Sequence, residues 1–288
     1  MDMPKQITII GVGLIGGSFA LGLKKQGCPT RIVGTGRDAG SLEKALHLGV
    51  IDAAELDLQK AIKDADVVVL AMPVGATEQV LRQIQPFIRP GCIITDVGSS
   101  KGVVVQAAHA VFGEVPPCLV PGHPIAGTEK SGVEAAFAEL FENRRVILTP
   151  AQNADPKAVE TVSQLWQCTG AKVSITSVEH HDEVLAATSH LPHMLAFALV
   201  DTLATMDDKA EIFQFAAGGF RDFTRIASSD AQMWHDICVT NGDAILAMLD
   251  RFTADLGLLR QAIEDKNSDY ILEVFRRAKK ARDQFCGQ

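Results

Sequence analysis

The first 176 residues alternate short β-forming runs with helical stretches, and this alternation is the feature that most constrains the fold. Six runs rich in β-branched and apolar residues fit strands: 6–10, 31–34, 67–71, 92–96, 145–149 and 172–175. Several are almost continuously apolar, as expected for strands that helices cover on both faces of a parallel sheet. We therefore predict a doubly wound parallel α/β sheet over residues 1–176.

The pattern becomes helical after residue 176. Apolar residues recur at helical spacing over 189–204, 244–263 and 269–284, and strand signals almost disappear. No linker rich in Pro, Gly or Ser separates the two halves. We therefore expect an all-helical domain over 177–288 that packs closely on the first domain.

Composition and charge narrow the classes of function. The chain has 288 residues and a net charge of −8, so we expect neither nucleic acid nor an anionic membrane surface as a partner. Six cysteines without a CxxC pair predict free thiols in a reducing compartment. The apolar run 7–23 holds five glycines and no cleavage site follows it, so it predicts strand, turn and helix rather than a signal peptide. The expected location is the cytoplasm.

A glycine-rich turn joins the first predicted strand to the first predicted helix. In this context Gly11 permits a tight turn, Gly13 lets the backbone approach a pyrophosphate, and Gly16 lets the helix pack on the strand. Leu14 and Ile15 open the helix, whose N-terminus offers N–H groups to phosphates. The sequence thus predicts a Rossmann-type dinucleotide site, and a tight strand–helix turn in an unrelated α/β protein is the alternative.

The end of the second predicted strand indicates which dinucleotide binds. NAD sites carry an acidic residue there that holds the ribose 2′-hydroxyl. Thr35 or Gly36 occupies that position, and Arg37 follows and can pair with a 2′-phosphate. We therefore expect NADP in preference to NAD. Asp38 would serve NAD if the strand ended later, and Arg37 is also compatible with a solvated turn.

Two later loops are expected at the same edge of the sheet, because ligands of open α/β sheets lie beyond the carboxyl ends of the strands. Met72 and Pro73, in the loop 71–74, are expected on the adenosine side of the cofactor. The loop 96–101 is expected near the nicotinamide. Ordinary loop packing is the alternative for Met72 and Pro73.

Histidines are the other candidates for chemistry. His123 stands between glycine and proline in a turn-rich segment, where it can act as a general base, and a structural role is the alternative. His180 and His181 are expected on the surface. His190 and His193 have the spacing of a metal pair, but no third ligand lies at a convincing distance, so we predict no metal site.

Five segments of the chain together resemble one known family. They are GVGLIGGS at 11–18, DVGSSKG at 96–102, GHPIAGTEKSG at 122–132, TSHLPH at 188–193 and GGFRDFTRIASSDAQMW at 218–234. In this order they resemble the prephenate/arogenate (cyclohexadienyl) dehydrogenases of tyrosine biosynthesis. The resemblance spans nearly the whole chain, and its specific parts are GHPIAGTEKSG and FRDFTRIA.

The resemblance implies an oxidation that is coupled to decarboxylation. Members of this family oxidise the ring C4 hydroxyl of prephenate or arogenate, pass hydride to NAD(P)+ and release the C1 carboxylate as CO2. The product is 4-hydroxyphenylpyruvate or tyrosine, and the sequence does not indicate which substrate is preferred. The resemblance also implies a homodimer formed through the helical domain. We expect neither a chorismate mutase domain before the first strand nor an ACT domain after the last helix.

The resemblance implies roles for individual residues around His123. His123 looks like the base for the 4-hydroxyl, and Ser99 looks like the partner that orients its imidazole and contacts substrate or nicotinamide. Ser100 competes for the second role. Each of these three residues stands in one of the matching segments.

On the substrate side, Arg225 looks like the guanidinium that binds a carboxylate, a task suited to its bidentate geometry. Arg221 is the second candidate, and Glu129 resembles a position that contacts the arginine at the mouth of the site. Asp222 and Asp230 are alternative salt-bridge partners for the two arginines. Three further residues match substrate-side positions, with packing as the alternative for the last two: Thr128, His193 and Trp234.

Two other functions stay open at this point. One is another dehydrogenase with a dinucleotide domain and a helical dimer domain, of the β-hydroxyacid dehydrogenase or imine reductase type. Those enzymes usually rely on a lysine in the helical half, and no lysine occurs between Lys172 and Lys209. The other is a non-catalytic NAD(P)-binding sensor, which would be favoured by loss of His123 or Arg225.

Overall fold

A computed structural model describes residues 3–207 and 209–286 of the chain. The strands are β1 (Gln6–Ile10), β2 (Arg31–Thr35), β3 (Ala53–Ala54), β4 (Val67–Leu70), β5 (Ile93–Asp96), β6 (Leu119–Val120), β7 (Gly122–Pro124), β8 (Arg145–Leu148) and β9 (Lys172–Ile175). The helices are α1 (Leu14–Lys25), α2 (Ala39–His47), α3 (Leu58–Ile62), α4 (Thr77–Ile84), α5 (Gly102–Phe112), α6 (Pro156–Cys168), α7 (Val178–Leu185), α8 (Leu191–Ala204), α9 (Lys209–Gln214), α10 (Gly218–Thr224), α11 (Ala231–Thr240), α12 (Gly242–Glu264) and α13 (Ser268–Cys286).

Six strands form one parallel sheet in the order β3-β2-β1-β4-β5-β6. This is the strand order of a Rossmann fold, in which the dinucleotide binds where the order reverses, between β1 and β4. The predicted doubly wound α/β architecture is therefore confirmed.

Strand β4 is continuously apolar because both of its faces are buried. Val67 and Val69 belong to the apolar core on one face of the sheet, whereas Val68 and Leu70 belong to the core on the other face. Side chains alternate between the two faces of a strand, so a strand covered on both faces needs an apolar residue at every position.

The turn between β1 and α1 depends on two of its glycines. Gly11 has a φ of +97°, and a Cβ there would lie 2.7 Å from the carbonyl oxygen of Ala71. A Cβ on Gly16 would lie 2.6 Å from the carbonyl oxygen of Gly11 and 2.9 Å from a methyl group of Ile9. Helix α1 therefore packs on β1 more closely than any larger residue at position 16 allows.

Strands β7, β8 and β9 form a separate three-stranded sheet, with β7 antiparallel and β9 parallel to β8. The prediction that the runs 145–149 and 172–175 continue the doubly wound sheet was wrong. The physical reason lies at Pro121, between β6 and β7, because proline has no N–H with which to extend the first ladder. His123 consequently lies in a strand, β7, and not in a loop.

All the regular elements described after Ile175 are helical, as predicted. One helical run, Val178–Ala204, is long and apolar enough to cross a membrane by length and composition alone. This run carries the buried polar residues His181, Asp182 and His190. The chain divides into two compact units, Met1–Gly242 and Asp243–Gln288. The first unit runs past the last strand because α7 packs on α5 and α11 packs near the start of α4.

The packing of α1 on β1 can be tested with Gly16→Ala. The added methyl group collides with backbone atoms, so the free energy of unfolding should fall by about 1–3 kcal/mol, as measured by urea denaturation. Gly13→Ala is the matched control, because no atom of the described residues would lie within 4 Å of a Cβ there. The control should lose less than about 1 kcal/mol. Equal losses in the two variants would contradict the close packing of helix and strand.

Candidate active site

The turn before α1 forms a cradle for a pyrophosphate. Helix α1 begins at Leu14 after Gly13, with no side chain capping its N-terminus and no acidic residue in its first turn. A Cβ at Gly13 would point into open space, as a backbone that receives phosphate requires. Free N–H groups and the positive end of the helix dipole favour an anion at this position. The residues present therefore fit a dinucleotide, with Leu14 and Ile15 at the start of the helix.

The acidic residue that follows β2, Asp38, has its carboxylate engaged in hydrogen bonds. The strand ends at the buried Thr35, and the exposed Arg37 follows two residues later. The Asp38 carboxylate caps α2, accepting hydrogen bonds from the Gly40 N–H at 3.3 Å and the Ser41 N–H at 3.0 Å. Hydrogen bonds from the Ser41 hydroxyl and from these N–H groups lower the pKa of Asp38. Asp38 thus has a structural role in the helix start.

The loop after β4 is partly core. Met72 packs against the apolar cluster beneath the sheet, and Pro73 is exposed immediately before a 3₁₀ turn, Val74–Ala76. Asp236 of α11 contacts this turn, since a Cβ on Gly75 would lie 3.1 Å from one of its carboxylate oxygens. No local pattern in the sequence indicates that α11 reaches this loop.

A buried ion pair holds the loop after β5. Lys101 is fully buried, pairs with Asp96 and donates a hydrogen bond of 2.7 Å to the carbonyl oxygen of Gly122. Asp96 also accepts hydrogen bonds from the Gly98 N–H at 2.7 Å and the Gly122 N–H at 3.1 Å. These bonds tie the end of β5 to the residue that precedes His123. Both partners of the Lys101 ammonium group therefore belong to the protein itself.

A chain of hydrogen bonds runs inward from His123. Its Nδ1 lies 2.9 Å from Nε2 of His181, and Nδ1 of His181 lies 2.7 Å from the Asp182 carboxylate. The prediction of surface positions was right for His180 and wrong for His181, which is 1% exposed. The reason is that α7 turns His181 and Asp182 toward the start of α5, where Asp182 accepts backbone N–H groups.

Ser99 is not hydrogen-bonded to the imidazole of His123, the contact that the resemblance implies. Among the residues described, Ser99 makes no hydrogen bond, and the orienting partner at Nδ1 of His123 is His181. Ser100 is buried and accepts a hydrogen bond of 3.1 Å from the Thr240 hydroxyl. A contact of Ser99 with substrate or nicotinamide stays a prediction.

His123 is electrically neutral at physiological pH. Burial lowers its pKa well below the ordinary value of 6.5, and the positive charge of Lys101 lowers it further. Its Nε2 makes no hydrogen bond to any described residue, so this ring nitrogen is left for an external partner. A neutral imidazole with one free nitrogen is the form that can accept a proton.

Three aromatic side chains form a second group. The rings of His193 and Trp234 are stacked, with centroids 3.8 Å apart, and His193 donates from Nδ1 to the carbonyl oxygen of Ser189 at 2.8 Å. His190 packs edge-on against Trp234 and its Nδ1 lies 3.1 Å from the Asn241 amide nitrogen. Burial lowers the pKa of His190 to about 4.

Two buried polar atoms in this group have no partner. They are Nε2 of His190 and Nε1 of Trp234, for which no acceptor exists within the described residues. Asn241 donates to the other nitrogen of His190, so Nε2 carries a proton, as the indole nitrogen always does. Unsatisfied buried donors are costly, and acceptor atoms of a ligand are one way to satisfy them.

Arg225 forms an ion pair with Glu129, as the resemblance implied. The guanidinium side chain is 64% exposed, and Asp230 caps α11 instead of pairing with it. Arg221 lies on α10, exposed and without an ion pair to any residue that the structure describes, and Thr128 is exposed beside Glu129. No hydrogen bond joins the Arg225–Glu129 pair to the His123 chain in the described parts of the molecule.

Comparisons with known proteins agree with this geometry. Residues 19–175 match the model of the prephenate dehydrogenase nucleotide-binding domain, and residues 177–277 match that of the prephenate dehydrogenase dimerization domain. A cyclohexadienyl dehydrogenase of Zymomonas mobilis is 40% identical over 98% of this chain and 96% of its own length.

Two solved structures are similar over nearly their whole length. Prephenate dehydrogenase from Aquifex aeolicus, in complex with hydroxyphenyl propionate and NAD+, has a TM-score of 0.92 and 36% identity, covering 98% of both chains. Synechocystis arogenate dehydrogenase has a TM-score of 0.82 and 27% identity, covering 97% of this chain and 99% of its own. These similarities favour this family over the other dehydrogenase families and the sensor considered from the sequence. The chain belongs to the prephenate dehydrogenase family.

Proposed function

We propose that this protein catalyses the NAD(P)-dependent oxidative decarboxylation of prephenate, arogenate or both. The observation that carries the proposal is the neutral, buried His123, whose Nε2 is free and whose strand is tied to the carboxyl end of β5. Ligands of an open α/β sheet bind beyond that edge. A base placed there is suited to take a hydroxyl proton from a substrate that lies against the cofactor.

The reaction can be divided among the groups of this site. NAD(P)+, when bound at the cradle of α1, supplies the acceptor for the hydride of ring C4. His123 accepts the proton of the C4 hydroxyl at Nε2 as that hydride leaves. The C1–carboxylate bond breaks, CO2 departs, its electron pair completes the aromatic ring, and the phenol oxygen recovers a proton. A positioned base typically contributes about 10²–10⁴-fold to such a step.

We assign recognition of the substrate anions to the helical part of the chain together with the loop after β7. Arg225 has the bidentate guanidinium that suits a carboxylate, and its present partner, Glu129, is itself a carboxylate. Arg221 is an exposed second cation on α10. Thr128 and the stacked pair of His193 and Trp234 complete the proposed substrate-side residues. The unpartnered N–H of Trp234 supports this assignment, because a substrate oxygen would satisfy it.

For the cofactor we propose NADP in preference to NAD. The strand β2 ends at Thr35 without an acidic residue to hold a ribose 2′-hydroxyl. Asp38, the alternative acid, is engaged in capping α2. Arg37 is exposed two residues after Thr35, whose carbonyl oxygen accepts the Gly11 N–H of the cradle. The Arg37 guanidinium can pair with a 2′-phosphate. Met72 and Pro73 are proposed to line the adenosine side.

We propose residues 1–176 as the dinucleotide domain and 177–288 as the helical domain that forms a homodimer. The matching family model for residues 177–277 is described as a dimerization domain. Large apolar side chains on α12 and α13 are exposed in the single chain: Leu246, Leu256, Leu258, Ile263, Leu272 and Phe275. A second copy that covers them would remove apolar surface from water. A cytoplasmic location and a lack of nucleic-acid or membrane partners stay predictions.

A four-way assay tests the proposed function. Prephenate and arogenate are each supplied with NAD+ and with NADP+, and formation of reduced cofactor is followed. Turnover is expected with at least one substrate, and NADP+ should give the higher kcat/KM. Absence of turnover in all four combinations would rule out the proposed reaction.

Two variants separate the proposed base from the proposed anion-binding group. His123→Asn should lower kcat by about 10²–10⁴-fold and change KM much less, because the base acts on the reacting proton. Arg225→Gln should mainly raise the KM of the substrate, by about tenfold or more, because a charge-assisted hydrogen bond is lost. Steady-state kinetics measures both. His180→Asn is the control, since His180 is exposed. Small, equal effects of both variants would show that the site lies elsewhere.

The cofactor assignment can be tested at two positions. Arg37→Ala should weaken NADP+ binding by about tenfold and leave NAD+ binding unchanged, because only NADP+ has the 2′-phosphate. Gly13→Ala should weaken both dinucleotides, because its methyl group enters the space proposed for the pyrophosphate. Isothermal titration gives both affinities. An equal loss of NAD+ and NADP+ affinity in Arg37→Ala would contradict the 2′-phosphate contact.

A further inference from the structure

The proposed reaction uses His123 and leaves two buried polar residues behind it without a role. His181 and Asp182 are 1% and 8% exposed, and both belong to the hydrogen-bond chain that starts at His123. Burying polar groups costs free energy unless they are fully hydrogen-bonded, so a continuous buried chain of polar side chains requires an explanation. The donor and the acceptor of each hydrogen bond indicate the role of this chain.

The inner end of the chain is an anion. One oxygen of Asp182 accepts the Lys101 N–H at 2.9 Å and the other accepts the Gly102 N–H at 2.8 Å. These N–H groups start α5, whose positive dipole end favours a negative charge. A Cβ on Gly102 would lie 3.0 Å from the carboxylate, so the glycine makes this approach possible. Burial acts to raise the pKa of Asp182, but hydrogen bonds from His181 and both N–H groups outweigh it and lower the pKa.

An ionised carboxylate only accepts hydrogen bonds, and this fact sets the tautomer of each imidazole. Nδ1 of His181 must carry the proton that it donates to Asp182. A neutral His181 then has a lone pair at Nε2, and this atom accepts the proton carried by Nδ1 of His123. A neutral His123 that is protonated at Nδ1 has its lone pair at Nε2.

We propose that Asp182 and His181 are positioning residues that hold His123 in the Nδ1–H tautomer, with Nε2 presented as the acceptor for the substrate hydroxyl. The identity of that hydroxyl rests on the proposed function, whereas the tautomer does not. The chain also prepares for the charged state. When Nε2 of His123 takes a proton, the Nδ1–H bond to His181 becomes charge-assisted, and the Nδ1 proton can move to His181, beside the Asp182 carboxylate.

A purely structural role is the competing explanation, because Asp182 also ties α7 to the start of α5. The two roles differ in what Asp182→Ala does. Both carboxylate oxygens of Asp182 accept backbone N–H groups, and the oxygen that accepts the Lys101 N–H also accepts the Nδ1–H of His181. An Ala side chain has no acceptor for His181, so nothing then holds the two rings in the Nδ1–H tautomer. A structural tie would lose stability without changing the tautomers.

Nitrogen NMR of protein labelled with ¹⁵N-histidine measures the tautomers directly. In the wild-type protein without substrate, His123 and His181 should both be Nδ1–H, with their signals assigned by His123→Asn and His181→Gln. In Asp182→Ala both rings should lose the Nδ1–H preference and show Nε2–H signals. An Nε2–H tautomer of His123 in the wild type, or the full Nδ1–H preference of both rings in folded Asp182→Ala, would overturn the proposal.

Kinetics gives the second readout. Asp182→Ala should lower kcat by about 10²–10⁴-fold with little change in either KM, as for a base whose orienting carboxylate is removed. His181→Gln leaves the Asp182 contacts with α5 in place and keeps an acceptor for His123, so it should lose less activity than His181→Leu. His180→Gln, one residue away and exposed, should match the wild type. Equal losses in His181→Gln and His181→Leu would also contradict the proposal.

Failure of the proposed function would look different. The NMR experiment needs neither substrate nor turnover, so the tautomer of His123 can be established even for a protein that is inactive in the four-way assay. Inactivity with both substrates together with the Nδ1–H tautomer would reject the proposed reaction and support the proposed tautomer of His123. Activity together with an Nε2–H tautomer would support the reaction and reject the proposed tautomer.

Discussion

A fully buried ammonium group dictates much of the architecture around this site. Lys101 has no exposed surface, and an isolated charge in that position would cost several kcal/mol. Asp96 and the Gly122 carbonyl neutralise and solvate it, and Asp96 in turn accepts the backbone N–H groups of Gly98 and Gly122. The result is that the end of β5 and the start of β7 form one rigid unit, although they belong to different sheets. His123 is the next residue, so its backbone is placed by an electrostatic requirement.

Two buried carboxylates thus act on one imidazole in different ways. Asp96 is neutralised by Lys101 and fixes the position of His123, whereas Asp182 is stabilised by the N-terminus of α5 and acts through His181. Burial and the charge of Lys101 oppose a positive charge on His123, which keeps the ring neutral. A base must be neutral before the reaction and tolerate a charge during it. The arrangement meets both needs, because Asp182 is near enough to stabilise a proton that has moved inward.

The sequence predicts the first domain well, because its signals are local. Strand β4 has an apolar residue at every position, and the Gly11–Gly16 turn follows β1 directly. The second sheet was missed because β7, the strand that pairs antiparallel with β8, is three residues long, too short for a periodicity. His181 was misplaced for another reason: a His-His-Asp sequence is polar, and its partner, His123, is 58 residues away. Burial of polar residues by long-range hydrogen bonds leaves no local pattern. The resemblance supplied His123 and Arg225, but their buried supports required coordinates.

The exposed and the buried parts of the site differ in how firmly their side chains are held. His123 is braced on two sides by buried polar groups, whereas Arg225 is 64% exposed and paired only with Glu129. An exposed ion pair contributes about 0–1 kcal/mol, so exchanging the Glu129 carboxylate for a substrate carboxylate costs little. A buried pair would resist that exchange, because each charge would be left without a partner in a medium of low polarity. The proposed function needs a base that does not move and an anion-binding group that can release its partner. The difference in burial between His123 and Arg225 supplies both within one chain.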